Sequence, residues 1–136
     1  MKDFEFYNPV KIFFGKDQVP VITELIPSGS KIMLTYGGGS IFKNGVYDRI
    51  KVALKGFDLT EFGGIEANPT YETSMKAVEI IKQKNINYIL AAGGGSVIDA
   101  TKFIAAAALF RDGDPWRILS ESAEVKEAIP FGCILT

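Results

Sequence analysis

The chain contains one arrangement twice, as Ile32-Met33-Leu34-Thr35-Tyr36-Gly37-Gly38-Gly39-Ser40-Ile41 and as Tyr88-Ile89-Leu90-Ala91-Ala92-Gly93-Gly94-Gly95-Ser96-Val97. Each copy is a short apolar run followed by three glycines, a serine and the start of a segment with helical periodicity. Because glycine has no Cβ, three in a row allow positive φ angles and let backbone N–H groups turn inward together. Such amides, in front of the positive end of a helix, bind phosphate oxygens. We call residues 37–40 the first glycine loop and residues 93–96 the second glycine loop.

Short apolar runs alternate with helical segments on both sides of these loops. Strands are predicted at residues 32–36, 57–62, 86–92 and 129–136, and Asn68-Pro69-Thr70 opens the helix after the second strand. Strands that alternate with helices of about 10 to 15 residues form parallel crossover units. The predicted fold class is therefore α/β, with a doubly wound and mostly parallel sheet. Two further extended segments flank Asn8-Pro9 and predict a short N-terminal β-hairpin.

Length and composition limit the kind of protein. The 136 residues are 47% hydrophobic, which is typical of one domain, residues 1–136, with a single core. Fifteen basic and sixteen acidic side chains give a net charge of −1, which offers no reason to expect nucleic acid or a membrane as partner. The longest run without a charge or a strong turn former, residues 103–110, is far shorter than the roughly 20 residues that cross a bilayer. We expect a cytoplasmic location.

The chain has no histidine, which removes several kinds of site from it. Imidazole zinc sites and the Ser-His and Cys-His nucleophile pairs are excluded. The single cysteine, Cys133, lies within a predicted strand and is interpreted as a core thiol. Carboxylates, lysines, tyrosines and backbone groups remain as the groups that can carry chemistry. The last predicted strand is apolar, and without further elements its face or its unpaired edge would be exposed to solvent. We therefore expect the chain to be part of a longer protein with a second domain.

Both glycine loops follow strands, and ligands of open α/β sheets lie outside the carboxyl ends of the strands. A ligand with phosphates at two places would use both loops, although the glycines could also form nothing more than tight turns. Ser96 and Asp99 have capping-box spacing, so either they cap the helix or Asp99 faces a ribose hydroxyl or the reacting end of the ligand. Asn68-Pro69-Thr70 likewise has two interpretations: an ordinary helix entry with Thr70 as the cap, or a segment that contacts the adenosine part of the ligand.

The residues after the first strand favour NADP over NAD. A carboxylate at that position would bind a ribose 2′-hydroxyl and repel a 2′-phosphate. The first glycine loop instead carries Ser40, followed by Lys43, and no acidic residue occurs before Asp48. Glycine amides, a hydroxyl and an ammonium group are all suited to a 2′-phosphate.

Four motifs together resemble the iron-containing alcohol dehydrogenases, in particular their NADPH-dependent butanol dehydrogenase or aldehyde reductase branch. They are Tyr36-Gly37-Gly38-Gly39-Ser40, Phe62-Gly63-Gly64-Ile65-Glu66-Ala67-Asn68-Pro69, Gly93-Gly94-Gly95-Ser96-Val97-Ile98-Asp99 and Ile129-Pro130-Phe131-Gly132-Cys133-Ile134-Leu135-Thr136. The resemblance implies a Rossmann-like domain that binds NADP(H). It also implies a helical second domain, missing here, that holds a divalent metal, iron or zinc, on an aspartate and histidines. This stretch alone is then expected to be inactive, with no catalytic and no metal-ligating residue of its own.

The resemblance also implies a cofactor site and a reaction. The first glycine loop is expected at the 2′-phosphate, the second at the pyrophosphate, Asn68 near the adenosine, and Asp99 and Thr136 toward the nicotinamide. The complete set is Gly37, Gly38, Gly39, Ser40, Asn68, Gly94, Gly95, Ser96, Val97, Asp99 and Thr136. The expected reaction moves a hydride between NADP(H) and a primary alcohol or aldehyde such as butanol or butanal. A homodimer is expected on separate grounds, since short N-terminal strands can pair across a two-fold axis and homodimers are the commonest oligomers. Two alternatives stay open: a polyol or sugar-phosphate enzyme of the glycerol dehydrogenase and dehydroquinate synthase superfamily, and a non-catalytic phosphate-binding module.

Overall fold

Four short strands pair into one wholly parallel sheet in the computed structural model, which describes residues 3–136. In chain order they are β1 (Lys31–Tyr36), β2 (Asp58–Phe62), β3 (Tyr88–Gly93) and β4 (Phe131–Leu135). Their order across the sheet is β2-β1-β3-β4, and every neighbouring pair is parallel. The predicted fold class is confirmed, since only crossover connections on the faces of the sheet can join parallel neighbours.

Helices connect the strands. A 3₁₀ turn (Val19–Val21) and α1 (Ile22–Leu25) precede β1, and α2 (Ser40–Lys43) and α3 (Val46–Ala53) follow it. The connection from β2 to β3 is α4 (Tyr71–Lys84), and α5 (Gly95–Leu109) and α6 (Arg117–Ser120) lie between β3 and β4. Thr70 begins α4 as predicted, because its hydroxyl accepts the N–H of Thr73 at 3.2 Å. No helix among residues 3–136 is long and apolar enough to span a bilayer.

The sheet has a hydrophobic core on each face, which is why its central strands are apolar throughout. On one face, Met33, Ile89 and Ala91 pack with residues of α4 and α5. On the other face, Leu34 and Leu90 pack with residues of α2 and α3. Because alternate residues of a strand point to opposite faces, β1 and β3 each contribute to both cores. The helix after β1 therefore covers one face, and the helix after β3 covers the other.

The predicted N-terminal β-hairpin is wrong for this chain. Residues 3–14 form no strand, and their large apolar side chains are exposed. The Asn8 side chain accepts the N–H of Val10 at 3.1 Å, a local turn that competes with the strand-to-strand turn of a hairpin. A two-stranded hairpin is also only marginally stable unless one of its faces is covered, and here both segments are solvent-exposed.

Candidate cofactor-binding site

The two glycine loops lie side by side at the carboxyl edge of the sheet. Tyr36, the last residue of β1, is in register with Ala92 of β3, so the first glycine loop begins next to Gly93. The chain then leaves β1 toward one face of the sheet and leaves β3 toward the other. Adjacent strands whose connections diverge in this way form a crevice, where ligands of doubly wound sheets bind.

Three glycines of the two loops have no structural need to be glycine. They are Gly38, Gly94 and Gly95: none adopts a positive φ, and a Cβ built on any of them would meet no other atom within 4 Å. Gly95 is even the first residue of α5, where alanine is the better helix former. Neither backbone strain nor internal packing therefore accounts for these glycines, and the space beside them is open to a ligand.

The fold constrains the other three glycines. Gly39 has a φ of +110°, which L side chains rarely adopt. A Cβ on Gly37 would lie 3.3 Å from the Ile65 carbonyl oxygen, and one on Gly93 would lie 2.7 Å from Cγ2 of Val97. For these positions the tight-turn interpretation holds, so each loop combines glycines that shape it with glycines that leave room beside it.

The second glycine loop leads directly into the 15-residue helix α5. The first amides of a helix have no acceptor within it, and they carry the positive end of the helix dipole. In α5 these are the N–H groups of Gly95, Ser96 and Val97, and no side chain caps them. The loop therefore presents several backbone donors beside the open space at Gly94, an arrangement suited to phosphate oxygens.

Ser96 and Asp99 do not form the predicted capping box. Ser96 lies inside α5, and its hydroxyl donates a hydrogen bond to the carbonyl oxygen of Ala67. Asp99 is exposed on the same helix, with Oδ1 3.6 Å from Nζ of Lys102. Since the single hydroxyl proton of Ser96 is already donated, an anion in the second loop would be held by backbone N–H groups rather than by this side chain.

The segment between β2 and α4 connects the two glycine loops, a role that the sequence did not indicate. On one side, the N–H groups of Gly64 and Ile65 donate to the carbonyl oxygens of Gly37 and Tyr36, both at 3.2 Å. On the other side, Ala67 accepts the hydrogen bond from Ser96. The signal in the sequence is Gly63-Gly64, which lies in the second of the four motifs quoted above. This segment carries the exposed Asn68 and so places it next to the second loop.

The remaining predicted residues lie at the same edge of the sheet. Ser40 is exposed at the start of α2, after the first loop. The N–H of Thr136 donates to the carbonyl oxygen of Gly93 at 3.2 Å, which places the residue after β4 beside the second loop. The Val97 side chain, in contrast, is buried and packs against Gly93, so only its backbone N–H is available to a ligand.

One acidic residue, Glu61, reaches the region behind the first loop from the neighbouring strand β2, although no acidic residue follows the first strand itself before Asp48. Glu61 of β2 accepts hydrogen bonds from the hydroxyls of Tyr36 and Tyr47, at 3.2 and 2.8 Å, and from Nζ of Lys51 at 3.0 Å. Partial burial acts to raise the pKa of Glu61, but these three hydrogen bonds outweigh it and hold the pKa below its ordinary value. The carboxylate is thus charged and fully engaged behind the loop.

The residues that the structure describes do not fit the divalent metal that the family resemblance implies. Histidine is absent from the sequence. Among residues 3–136, no group of three or more aspartate, glutamate or cysteine side chains lies close enough to hold an ion.

Comparison with known proteins identifies the family. The family model for iron-containing alcohol dehydrogenases matches residues 9–136. The chain is 50% identical over 138 residues to the NADPH-dependent aldehyde reductase YqhD of Escherichia coli (strain K12), covering 100% of this chain and 36% of that protein. It is 45% identical over 139 residues to the probable NADH-dependent butanol dehydrogenase 1 of Bacillus subtilis (strain 168), covering 100% of this chain and 36% of the relative.

A solved structure agrees with this result. The substrate- and cofactor-free aldehyde reductase YqhD from E. coli superposes with a TM-score of 0.95 at 49% identity, over 98% of this chain and 36% of the solved one. The α/β, Rossmann-like fold described above is thus that of the N-terminal part of this solved structure. The chain belongs to the iron-containing alcohol dehydrogenases, and it spans about a third of the length of the relatives it matches.

Proposed function

We propose that this chain is the NADPH-binding domain, residues 1–136, of a metal-dependent alcohol dehydrogenase or aldehyde reductase. The observation that carries the proposal is the set of open glycines, Gly38, Gly94 and Gly95, in two loops that lie side by side. A dinucleotide has phosphate groups at two places, and two neighbouring loops with free amides match such a ligand. NADPH, when bound, supplies the hydride that reduces an aldehyde.

The proposed roles are those that the family resemblance implies, and the position of each residue at the sheet edge is compatible with them. Backbone N–H groups of the second glycine loop and of the first turn of α5 hold the pyrophosphate. The first glycine loop holds the 2′-phosphate through its amides and the exposed hydroxyl of Ser40. Asn68, beside the second loop, contacts the adenosine, while Asp99 and Thr136 lie toward the nicotinamide. Residues outside this chain would hold the metal, whether iron or zinc, because none of the described residues is suited to it.

The preference for NADPH over NADH rests on the charges around the first loop. The relatives named above are described as NADPH-dependent in one case and NADH-dependent in the other, so the family alone does not decide the cofactor. Here Ser40 and Lys43 are exposed beside the loop, and the carboxylate of Glu61 is engaged by Lys51 and two tyrosines. Hydrogen bonds to a charged group contribute about 1.5–3 kcal/mol each, so one such bond gives roughly a 10- to 150-fold preference.

Calorimetric titration of the chain with NADPH, NADH and inorganic phosphate tests the proposal. We expect NADPH to bind at least about tenfold more tightly than NADH, and phosphate to bind far more weakly than either. Equal affinity for all three ligands would contradict the proposal, because it is the behaviour of a non-catalytic phosphate-binding module.

The wider assignment concerns the whole protein. We propose that it reduces small aldehydes, or oxidises primary alcohols such as butanol, as a cytoplasmic homodimer without nucleic acid or membrane partners. Turnover of butanal by the full-length protein, compared with turnover of glycerol, separates this activity from that of a polyol dehydrogenase. Faster turnover of glycerol would contradict the proposed substrate class.

A further inference from the structure

Two threonine hydroxyls are completely buried between the sheet and α5. Thr35 is the fifth residue of β1, Thr101 lies in the second turn of α5, and both are 0% exposed. Their Oγ1 atoms are 2.7 Å apart, a short and direct hydrogen bond. Valine has nearly the same shape as threonine and would fill the same space without burying a hydroxyl group. The pair therefore calls for an explanation beyond packing.

The direction of the hydrogen bonds can be worked out from the number of protons. Thr101 Oγ1 donates to the carbonyl oxygen of Val97 at 2.8 Å, which uses its only proton. The proton between the two hydroxyls must then come from Thr35, whose other possible acceptor, the Leu90 carbonyl oxygen, is farther away at 3.5 Å. A directed path thus runs from β1, through Thr35 and Thr101, to the first turn of α5.

The last residue of this hydrogen-bonded path, Val97, has its side chain between the two glycine loops. A Cβ built on Gly93 would lie 2.7 Å from Cγ2 of Val97, and one built on Gly37 would lie 3.5 Å from the same atom. The Val97 side chain therefore packs against both loops. Apolar contacts alone have little directional preference, whereas a hydrogen bond fixes the rotation and the height of a helix above a strand.

We propose that Thr35 and Thr101 are positioning residues that hold the Val97 turn against β1 and so set the spacing between the two glycine loops. This inference rests on the proposed function, because the spacing matters for a ligand that binds both loops at once. The affinity of a ligand with two linked binding groups depends steeply on the distance between its two sites, whereas the affinity of a fragment that binds one loop does not.

The double variant Thr35→Val with Thr101→Val tests the proposal. Replacing both partners of a buried hydrogen bond by apolar groups of the same shape leaves no unsatisfied hydroxyl, so the melting temperature is expected to change little. We expect the affinity of the full chain for NADPH to fall by about 2- to 12-fold, the equivalent of one neutral hydrogen bond. Affinities for adenosine 2′-monophosphate and for inorganic pyrophosphate, each with phosphate groups for only one of the two loops, are expected to stay within about twofold.

Two further variants separate positioning from general stability. Thr35→Ser with Thr101→Ser keeps both hydroxyls but loses two methyl groups, so it is expected to lower the melting temperature and to retain NADPH affinity. Ser30→Ala removes another buried hydrogen bond, from the Ser30 hydroxyl to the Pro27 carbonyl oxygen at 2.7 Å, at the opposite end of β1. It is expected to be less stable and to bind all three ligands normally.

The possible outcomes are distinct. Unchanged NADPH affinity in the double valine variant, or an equal loss for NADPH and both fragments, would overturn the positioning role. Loss of NADPH affinity in the double serine variant would overturn it as well. If the unaltered protein fails to bind NADPH, the proposed function is wrong and the positioning role is overturned with it.

Discussion

Substitution of Gly95 by alanine should make the protein more stable and at the same time impair its proposed ligand binding. Gly95 is the first residue of α5, its φ is not positive, and a Cβ there would meet no atom within 4 Å. Alanine in a helix is favoured over glycine by about 0.5–1 kcal/mol. For a domain of 136 residues this corresponds to an increase in melting temperature of about 2–5 °C.

The same methyl group would occupy the open space in which we place the pyrophosphate. Displacing the phosphate from one backbone N–H group loses a hydrogen bond to a charged partner, about 1.5–3 kcal/mol. We therefore expect the dissociation constant for NADPH to rise by about 10- to 150-fold. Thermal unfolding followed by circular dichroism gives the first quantity, and calorimetric titration gives the second.

A matched control is Gln83→Ala, at an exposed position of α4. It is expected to leave both the melting temperature and the NADPH affinity nearly unchanged, because Gln and Ala differ little in helix propensity. Unimpaired NADPH binding by Gly95→Ala would refute the argument that an open glycine marks the ligand site. A lower melting temperature would refute the conclusion that the fold does not need this glycine.

Three other substitutions follow from the same structure. Gly93→Ala places a methyl group 2.7 Å from Val97 Cγ2 and should lower the free energy of unfolding by about 1–3 kcal/mol, as measured in urea. Ser40→Asp puts a carboxylate beside the proposed 2′-phosphate and should reduce the ratio of NADPH to NADH affinity at least tenfold in calorimetry. Since the folded pKa of Glu61 lies below its ordinary value of 4.5, its stabilising contribution is present above that pH and is lost as the pH falls through the folded value. In the Glu61→Gln variant, the free energy of unfolding should therefore fall less steeply below about pH 4.5. Urea unfolding at a series of acidic pH values measures this.

A specific result would contradict each of these three predictions. A Gly93→Ala chain as stable as the unaltered one would show that Val97 can move away without cost. An unchanged cofactor ratio in Ser40→Asp would place the 2′-phosphate elsewhere. An identical acid profile in Glu61→Gln would mean that the hydrogen bonds from Tyr36, Tyr47 and Lys51 do not affect the titration of this carboxyl.

The sheet and its connections were predictable because they depend on local periodicity. The second strand, predicted at residues 57–62, is observed at Asp58–Phe62, and Asn68-Pro69-Thr70 opens a helix as expected. Parallel pairing then follows from the alternation of strands and helices. The neighbouring position of the two glycine loops, which the sheet order confirms, follows in turn from that topology.

The features that were wrong or missed depend on contacts between distant residues. The Ser96 hydroxyl bonds to Ala67, 29 positions away, rather than to its own helix end, and a motif read along the chain cannot show this. Glu61 reaches Tyr36 only because β2 and β1 are adjacent. The N-terminal segments have strand-like composition, but a strand needs a partner, and the described chain provides none for them.

The most direct test of the account follows the backbone amides of both glycine loops during a titration. In ¹⁵N-labelled protein, NADPH should shift the amide resonances of Gly38 in the first loop and of Gly94 and Gly95 in the second. All three should give one and the same dissociation constant, because a single ligand occupies both loops. Shifts confined to one loop, or two different dissociation constants, would contradict the claim that the loops form one dinucleotide site.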